Sequence, residues 1–248
     1  MNAKTDLEAW LEIQAEKVVR NAEVVTAEEL SQDAVYHISI NPRIPKFIPI
    51  VGRRQAASED RTVPRITCAP TLLGCIMGYS KSVMDFHNLL PNGAKAEEGY
   101  RGGFYIYDFP LTAALKPNNK LVYDASATGE VWLVPFNEAH REYKAEVVGK
   151  FFLRTISYSS RAGKLPESEM TIFAEIKKPT GLPFSQRHVL TPGYWVISGP
   201  TENHVRTWKD DKDFRIESID KSHYDSVKKA SADLLGFAEA PQPGYTGW

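Results

Sequence analysis

Apolar positions near the start of the chain recur at helical spacing. Leu7, Trp10, Leu11, Ile13 and Val18 follow Thr5-Asp6-Leu7-Glu8, which fits a capping box, and together they predict an amphipathic helix running to about Arg20. Thr26 with Glu29 repeats the capping signal and predicts one short helical turn over 26–30. The pattern then changes. Ala34-Val35-Tyr36-His37-Ile38-Ser39-Ile40 is rich in β-branched and aromatic residues and is stopped by Asn41-Pro42, so it predicts a strand. Period-two alternation puts Tyr36, Ile38 and Ile40 on one face, and Val35, His37 and Ser39 on the other.

Residues 41–64 carry Pro42, Pro45, Pro49 and Pro64 among Arg43, Arg53, Arg54, Glu59, Asp60 and Arg61. Prolines so placed remove backbone donors and exclude a helix, which predicts a long charged loop, and such loops are usually functional or disordered. Arg65-Ile66-Thr67-Cys68-Ala69 predicts a short strand. Pro70-Thr71 then opens a helix carrying Leu72, Leu73, Cys75, Ile76, Tyr79, Val83 and Phe86, in which Gly74 and Gly78 allow another backbone to approach closely.

Strand-like runs dominate the middle: 104–107, Leu121-Val122-Tyr123, 130–134, 147–148, 151–156, 171–176 and 194–197. One further strand, 214–219, and a helix from Ser222 to Leu235 close the pattern, with Gly236 as the stop. Helices cluster near the ends, with no regular β-helix-β alternation. This predicts an α+β fold with a central, mostly antiparallel sheet, helices near both termini and one helix after the second strand. One domain over 1–248 is the simplest account, with 158–169 as the sub-boundary if there are two and 240–248 as a mobile tail.

Composition changes this picture little. Hydrophobic residues at 42% and charged residues at 25% are ordinary for a globular chain. Thirty Lys+Arg against 31 Asp+Glu leave a formal charge of -1, so nothing global draws the chain to nucleic acid or an anionic membrane; a local basic strip against phosphates remains through Arg43, Lys46, Arg53, Arg54, Arg61 and Arg65. No stretch approaches the roughly 20 apolar residues of a membrane span, and the N-terminus does not read as a signal peptide, so a cytoplasmic protein is expected.

Candidate chemistry is sparse. Phosphate-loop, dinucleotide-fingerprint, nucleophile-elbow and His-Glu-x-x-His patterns are absent. Cys68 and Cys75 lack zinc-ligand spacing and read as reduced core residues. The histidines, His37, His87, His140, His188, His204 and His223, form no i, i+4 pair, and no metal is expected. His37 is the exception among them, because it shares a strand face with Ser39 beside the arginine-rich loop; the pair suits holding the hydroxyls and amide of one small ligand, although the pattern alone favours a satisfied core or sheet-face histidine.

Tyr36-His37-Ile38-Ser39 resembles the Tyr-His-Gly-Thr strand of the ADP-ribosyltransferase superfamily, including its RNA 2′-phosphotransferase branch. Arg65-Ile66-Thr67-Cys68-Ala69-Pro70 and the helix behind it resemble that family's next site strand. This chain has Ile38 where the family has glycine, and Thr67 and Cys68 where many members place tyrosine. The resemblance implies an NAD-dependent ADP-ribosyl- or phosphotransferase, with His37 and Ser39 holding NAD or an ADP-ribose derivative, Arg65 on phosphate or ribose, and a late-strand carboxylate, Glu130 or secondly Glu146, completing the catalytic set with His37. The His-Ile-Ser strand, the Pro/Arg loop and the Gly-Cys helix also resemble small proteins encoded in tailed-phage genomes. That resemblance implies host cytoplasm as the location and, as the alternative to an enzyme, a non-catalytic factor that binds a host or virion protein.

Overall fold

The computed structural model describes residues 2–39, 41–52, 59–78, 98–159, 167–182, 188–201 and 215–235. The elements in chain order begin with α1 (Ala3–Glu12), α2 (Glu16–Val19), β1 (Ala22–Thr26), α3 (Ala27–Leu30), β2 (Ala34–Ser39), β3 (Ile66–Cys68) and α4 (Leu72–Gly78). Then come β4 (Glu98–Pro110), β5 (Ala113–Pro117), α5 (Ala125–Thr128), β6 (Val131–Leu133), a 3-10 turn (Glu138–His140), β7 (Glu146–Ser159) and β8 (Glu167–Ile176). β9 (Thr180–Leu182), β10 (His188–Leu190), β11 (Gly193–Thr201), β12 (Arg215–Ile219) and α6 (Lys221–Leu235) complete the set.

The fold is α+β. A six-stranded sheet in the order β12-β11-β8-β7-β4-β2 and a four-stranded sheet in the order β1-β5-β6-β3 are both antiparallel. They meet at their edges: Tyr36 of β2 exchanges backbone hydrogen bonds with Ala69, just past β3, at 2.8 and 2.9 Å. β4 turns into β5 through Leu111 and Thr112, and Leu111 N–H donates to the Asp33 carbonyl just ahead of β2, which joins the sheets a second time. The two sheets therefore wrap a shared barrel-like core of Val25, Val35, Phe47, Ile66, Cys68, Tyr107, Phe109, Val131 and Leu133.

Alternation along each strand supplies the other cores. Tyr36, Ile38, Phe104, Ile106, Phe151 and Ala174 pack with α4 on one face of the larger sheet. Phe152, Phe173 and Tyr224 of α6 pack on its other face. Leu7, Val18, Leu115, Leu121, Val122 and Trp132 form a core outside the smaller sheet.

Several local expectations change. The first helix starts at Ala3, because Asn2 Oδ1 accepts the Lys4 N–H at 3.1 Å and so caps it ahead of Thr5. It ends at Glu12: the Gln14 side chain donates to the Trp10 carbonyl, extended Ala15 redirects the chain into α2, and Ile13 is left 79% exposed. The second capping box is formed as expected, with Thr26 and Glu29 bonding each other's backbone N–H. Leu121-Val122-Tyr123 is a turn, since the N–H groups of Leu121 and Val122 both donate to the Asn118 carbonyl and the buried Leu121 and Val122 plug the outer core. β1 and β5 are strands the hydrophobic pattern does not reveal. The segment 158–169 joins two strands of one sheet, paired at Tyr158↔Ser168 and Ser159↔Glu167. The tail 240–248, the helix beyond Gly78, His87, His204, Arg53 and Arg54 lie outside the described residues.

Among the described residues no helix is long and apolar enough to cross a membrane.

Candidate functional site

β2 pairs with β4 so that His37 stands opposite Tyr107 and Ser39 opposite Tyr105. His37 is half-buried, and its Nδ1 lies 2.8 Å from the Thr67 carbonyl oxygen. A carbonyl only accepts, so Nδ1 carries the proton and the tautomer is fixed by this bond. Burial lowers the imidazole pKa below its usual value and the Thr67 bond opposes that shift, with no contribution from Arg65 or Glu130.

The His37 face is roofed by the chain itself. Phe47 sets its ring edge-on to His37 at 5.4 Å and to Tyr107 at 5.1 Å, and its backbone exchanges hydrogen bonds with Tyr143. Ser39 is buried, and its Oγ accepts the Asn41 N–H at 3.1 Å, a local turn that starts the 41–52 segment. The Tyr107 hydroxyl donates to the Asn41 carbonyl at 2.7 Å and accepts the Ile44 N–H.

Arg65 and Glu130 meet elsewhere. Ile66, Cys68, Val131 and Leu133 point into the shared core, so by alternation Arg65, Glu130 and Trp132 lie on the opposite face of the β3–β6 pair. The Arg65 side chain is 2% exposed; its Nη1 donates to the Asp60 and Val63 carbonyls at 3.0 and 3.2 Å, and it forms ion pairs with Asp60 and Glu59 at 3.5 and 3.8 Å. Its Cζ lies 4.2 Å from the Trp132 ring centroid. Trp132 Nε1 in turn donates to Glu130 Oε1 at 2.6 Å. Gly129, at φ +67, ends α5 in the left-handed conformation that glycine tolerates and turns the chain into Glu130.

The electrostatics follow from burial. Burial pushes the Glu130 carboxyl up to about 7, against the pull of Trp132 N–H and Arg65, while Glu59 and Asp124 add to the rise. Burial also pushes Asp60 up, but donors from Val63 and Thr62 together with Arg65 outweigh it and hold that carboxyl below its usual range. Cys75 donates its thiol to the Tyr36 carbonyl at 2.9 Å, and burial drives its pKa to about 12. Cys68 is likewise raised by burial, so neither thiol presents a thiolate at neutral pH.

The structure thus brings Arg65 and Glu130 together through Trp132, and places His37 and Ser39 on a different face. Glu146, the second carboxylate expected from the resemblance, opens β7 at the surface and pairs with Lys178. Of the basic strip, Arg65 is buried, Lys46 pairs with Glu142, and Arg43 and Arg61 are exposed. Among the described residues no group of three or more His, Cys, Asp or Glu is gathered to hold a metal ion. Sequence reasoning missed Trp132, although it shares a strand face with Glu130 two residues away, and missed Asp60, whose Asp-x-Thr-Val turn signal was on view.

No protein-family model, no curated protein and no solved structure matches this chain.

Proposed function

We propose that this chain acts by docking a protein partner on the outer side of residues 48–51. The observation that carries this reading is the exposure pattern of one extended segment. Phe47 and Pro49 are buried while Ile48, Ile50 and Val51 are 55%, 45% and 39% exposed. Six large hydrophobics are exposed among the described residues, and three of them fall within these four positions, so the patch is local rather than a scatter of single side chains. The resemblance to tailed-phage proteins makes the partner a host or virion protein. Testing it requires capture on the full chain and on an Ile48→Asp/Ile50→Asp variant of equal stability. A partner retained equally by both removes the reading.

A second reading, an NAD-using transferase, is favoured by the shared face of His37 and Ser39 on β2. It requires Phe47 and the 41–47 roof to move before a nucleotide reaches that face. Thermal shift with millimolar NAD or ADP-ribose tests it, since even weak binding to the native state raises the melting temperature; no shift removes it.

A further inference from the structure

The segment 47–51 is held by its backbone from both sides. Phe47 exchanges hydrogen bonds with Tyr143 at 2.9 and 2.8 Å, and Ile50 does so with Arg65 at 3.4 and 3.0 Å. Pro49 between them has no N–H. Adding a visiting strand requires a run of free backbone groups along one edge, and neither edge of 47–50 offers one. Whatever docks there reads side chains.

Phe47 and Tyr143 pack into the shared core. By alternation Lys46 and Ile48, with Lys144 and Glu142 opposite them across the antiparallel Phe47↔Tyr143 pair, stand on the outer side. The segments 41–52 and 138–144 carry four cations, Arg43, Lys46, Arg141 and Lys144, against two carboxylates, Glu138 and Glu142. Both carboxylates are taken, Glu142 by Lys46 and Glu138 by Arg141 at 2.9 Å. Arg43 and Lys144 are exposed and have no ion-pair partner among the described residues. On the other flank Glu59 and Asp60 balance Arg61 and Arg65 in formal charge. Two uncompensated positive charges therefore border the apolar patch.

We infer that the partner is a protein surface with carboxylates beside its apolar anchor: the anchor covers Ile48 and Ile50, and Asp or Glu side chains face Lys144 and Arg43. This rests on the docking reading above and adds the partner's charge to it. Apolar contact at the centre of such an interface holds the two proteins together, while exposed rim charges set how fast they meet and how strongly salt weakens them. Phosphates alone would match the cations and leave the isoleucines uncovered, so an acidic protein fits better than a nucleic acid.

The test uses the full chain with a photo-activated cross-linker at position 48, in lysate of the cells that naturally produce it, and sequences the cross-linked peptide. One adduct is expected, with more Asp and Glu than Lys and Arg in its contact peptide. Its yield should fall several-fold between ~50 and ~500 mM salt, and about tenfold in Arg43→Glu/Lys144→Glu. Lys17→Glu/Lys229→Glu, the same charge change on exposed positions of α2 and α6, should leave the yield unchanged. The salt series decides the matter even without a folded variant. A protein adduct that ignores salt and the Arg43/Lys144 change, or whose contact peptide is neutral or basic, overturns the charge assignment and leaves docking standing. An adduct that nuclease destroys, or none at all from position 48, overturns both.

Discussion

The Arg65 guanidinium carbon sits 4.2 Å from the centroid of the Trp132 ring, and that contact ties the loop before β3 to the outer face of β6. A guanidinium can stack on an aromatic face and keep its fork of N–H donors for carbonyls, whereas an ammonium cannot do both. Arg65→Lys keeps the charge but loses the fork to Asp60 and Val63. We expect it to lower stability by roughly 2–3 kcal/mol, from charged hydrogen bonds and the ring contact together, as a reduced midpoint in urea with an unchanged slope. A variant with the original midpoint would show that the stacked pair contributes nothing.

Glu130 has a folded-state pKa raised above its unfolded value, so its contribution to stability is fully present below about 4.5 and is lost as pH rises through about 7. Each pH unit between those two values is worth about 1.4 kcal/mol, so the unaltered chain should be roughly 3 kcal/mol less stable at pH 8 than Glu130→Gln, while the two converge near pH 4.5. Urea unfolding at both pH values measures the difference. Equal stability at pH 8 contradicts the burial that raises this carboxyl.

Two glycines of α4 make an internal control. A Cβ on Gly74 would stand 2.2 Å from the Thr128 carbonyl oxygen and 2.9 Å from the Ala69 Cβ, whereas among the described residues one on Gly78 meets only Thr128 Cγ2, at 3.9 Å. Gly74→Ala must push the backbone of α5 away and should cost at least about 2 kcal/mol, an order-of-magnitude figure for overpacking. Gly78→Ala should be neutral or slightly stabilising through helix propensity. The reverse ranking of thermal midpoints would mean that α4 does not pack against α5 as described.

Phe47 covers His37, and burial is what lowers that imidazole's pKa. Phe47→Ala should let water reach the ring and move the His37 titration midpoint up towards its usual value, read from its ring-proton shifts across pH. In the intact protein a lowered His37 pKa adds stability above the ordinary histidine pKa, and that stability falls away as pH drops through the folded value. An unchanged midpoint in the variant would assign the lowering to something other than the Phe47 roof.

How far the chain can be read from its residues depends on the range over which each signal acts. The long strands β4, β7, β8 and β11 announce themselves through aromatic and β-branched runs, and the α3 box through Thr26 and Glu29, because those signals are local. β5 does not, since Ala113-Ala114-Leu115-Lys116-Pro117 has little strand propensity and is held by its partner β1, Val24↔Leu115 among other pairs. Leu121-Val122-Tyr123 misleads for the converse reason: its composition suits a strand, while Asn118 turns it into a core plug. At the candidate site the shared face of His37 and Ser39 was legible from a period of two. The meeting of Arg65 with Trp132 and Glu130 depends on β3 pairing with β6, and nothing near either residue encodes that.

The most direct measurement places a photo-activated cross-linker at position 48 of the full chain, in the cells that naturally produce it, with the 79%-exposed position 13 as control. Docking on the outer side of residues 48–51 predicts one discrete protein adduct from position 48, lost when Ile50 is changed to Asp and absent from position 13. No adduct from position 48, or the same adducts from both positions, would contradict it.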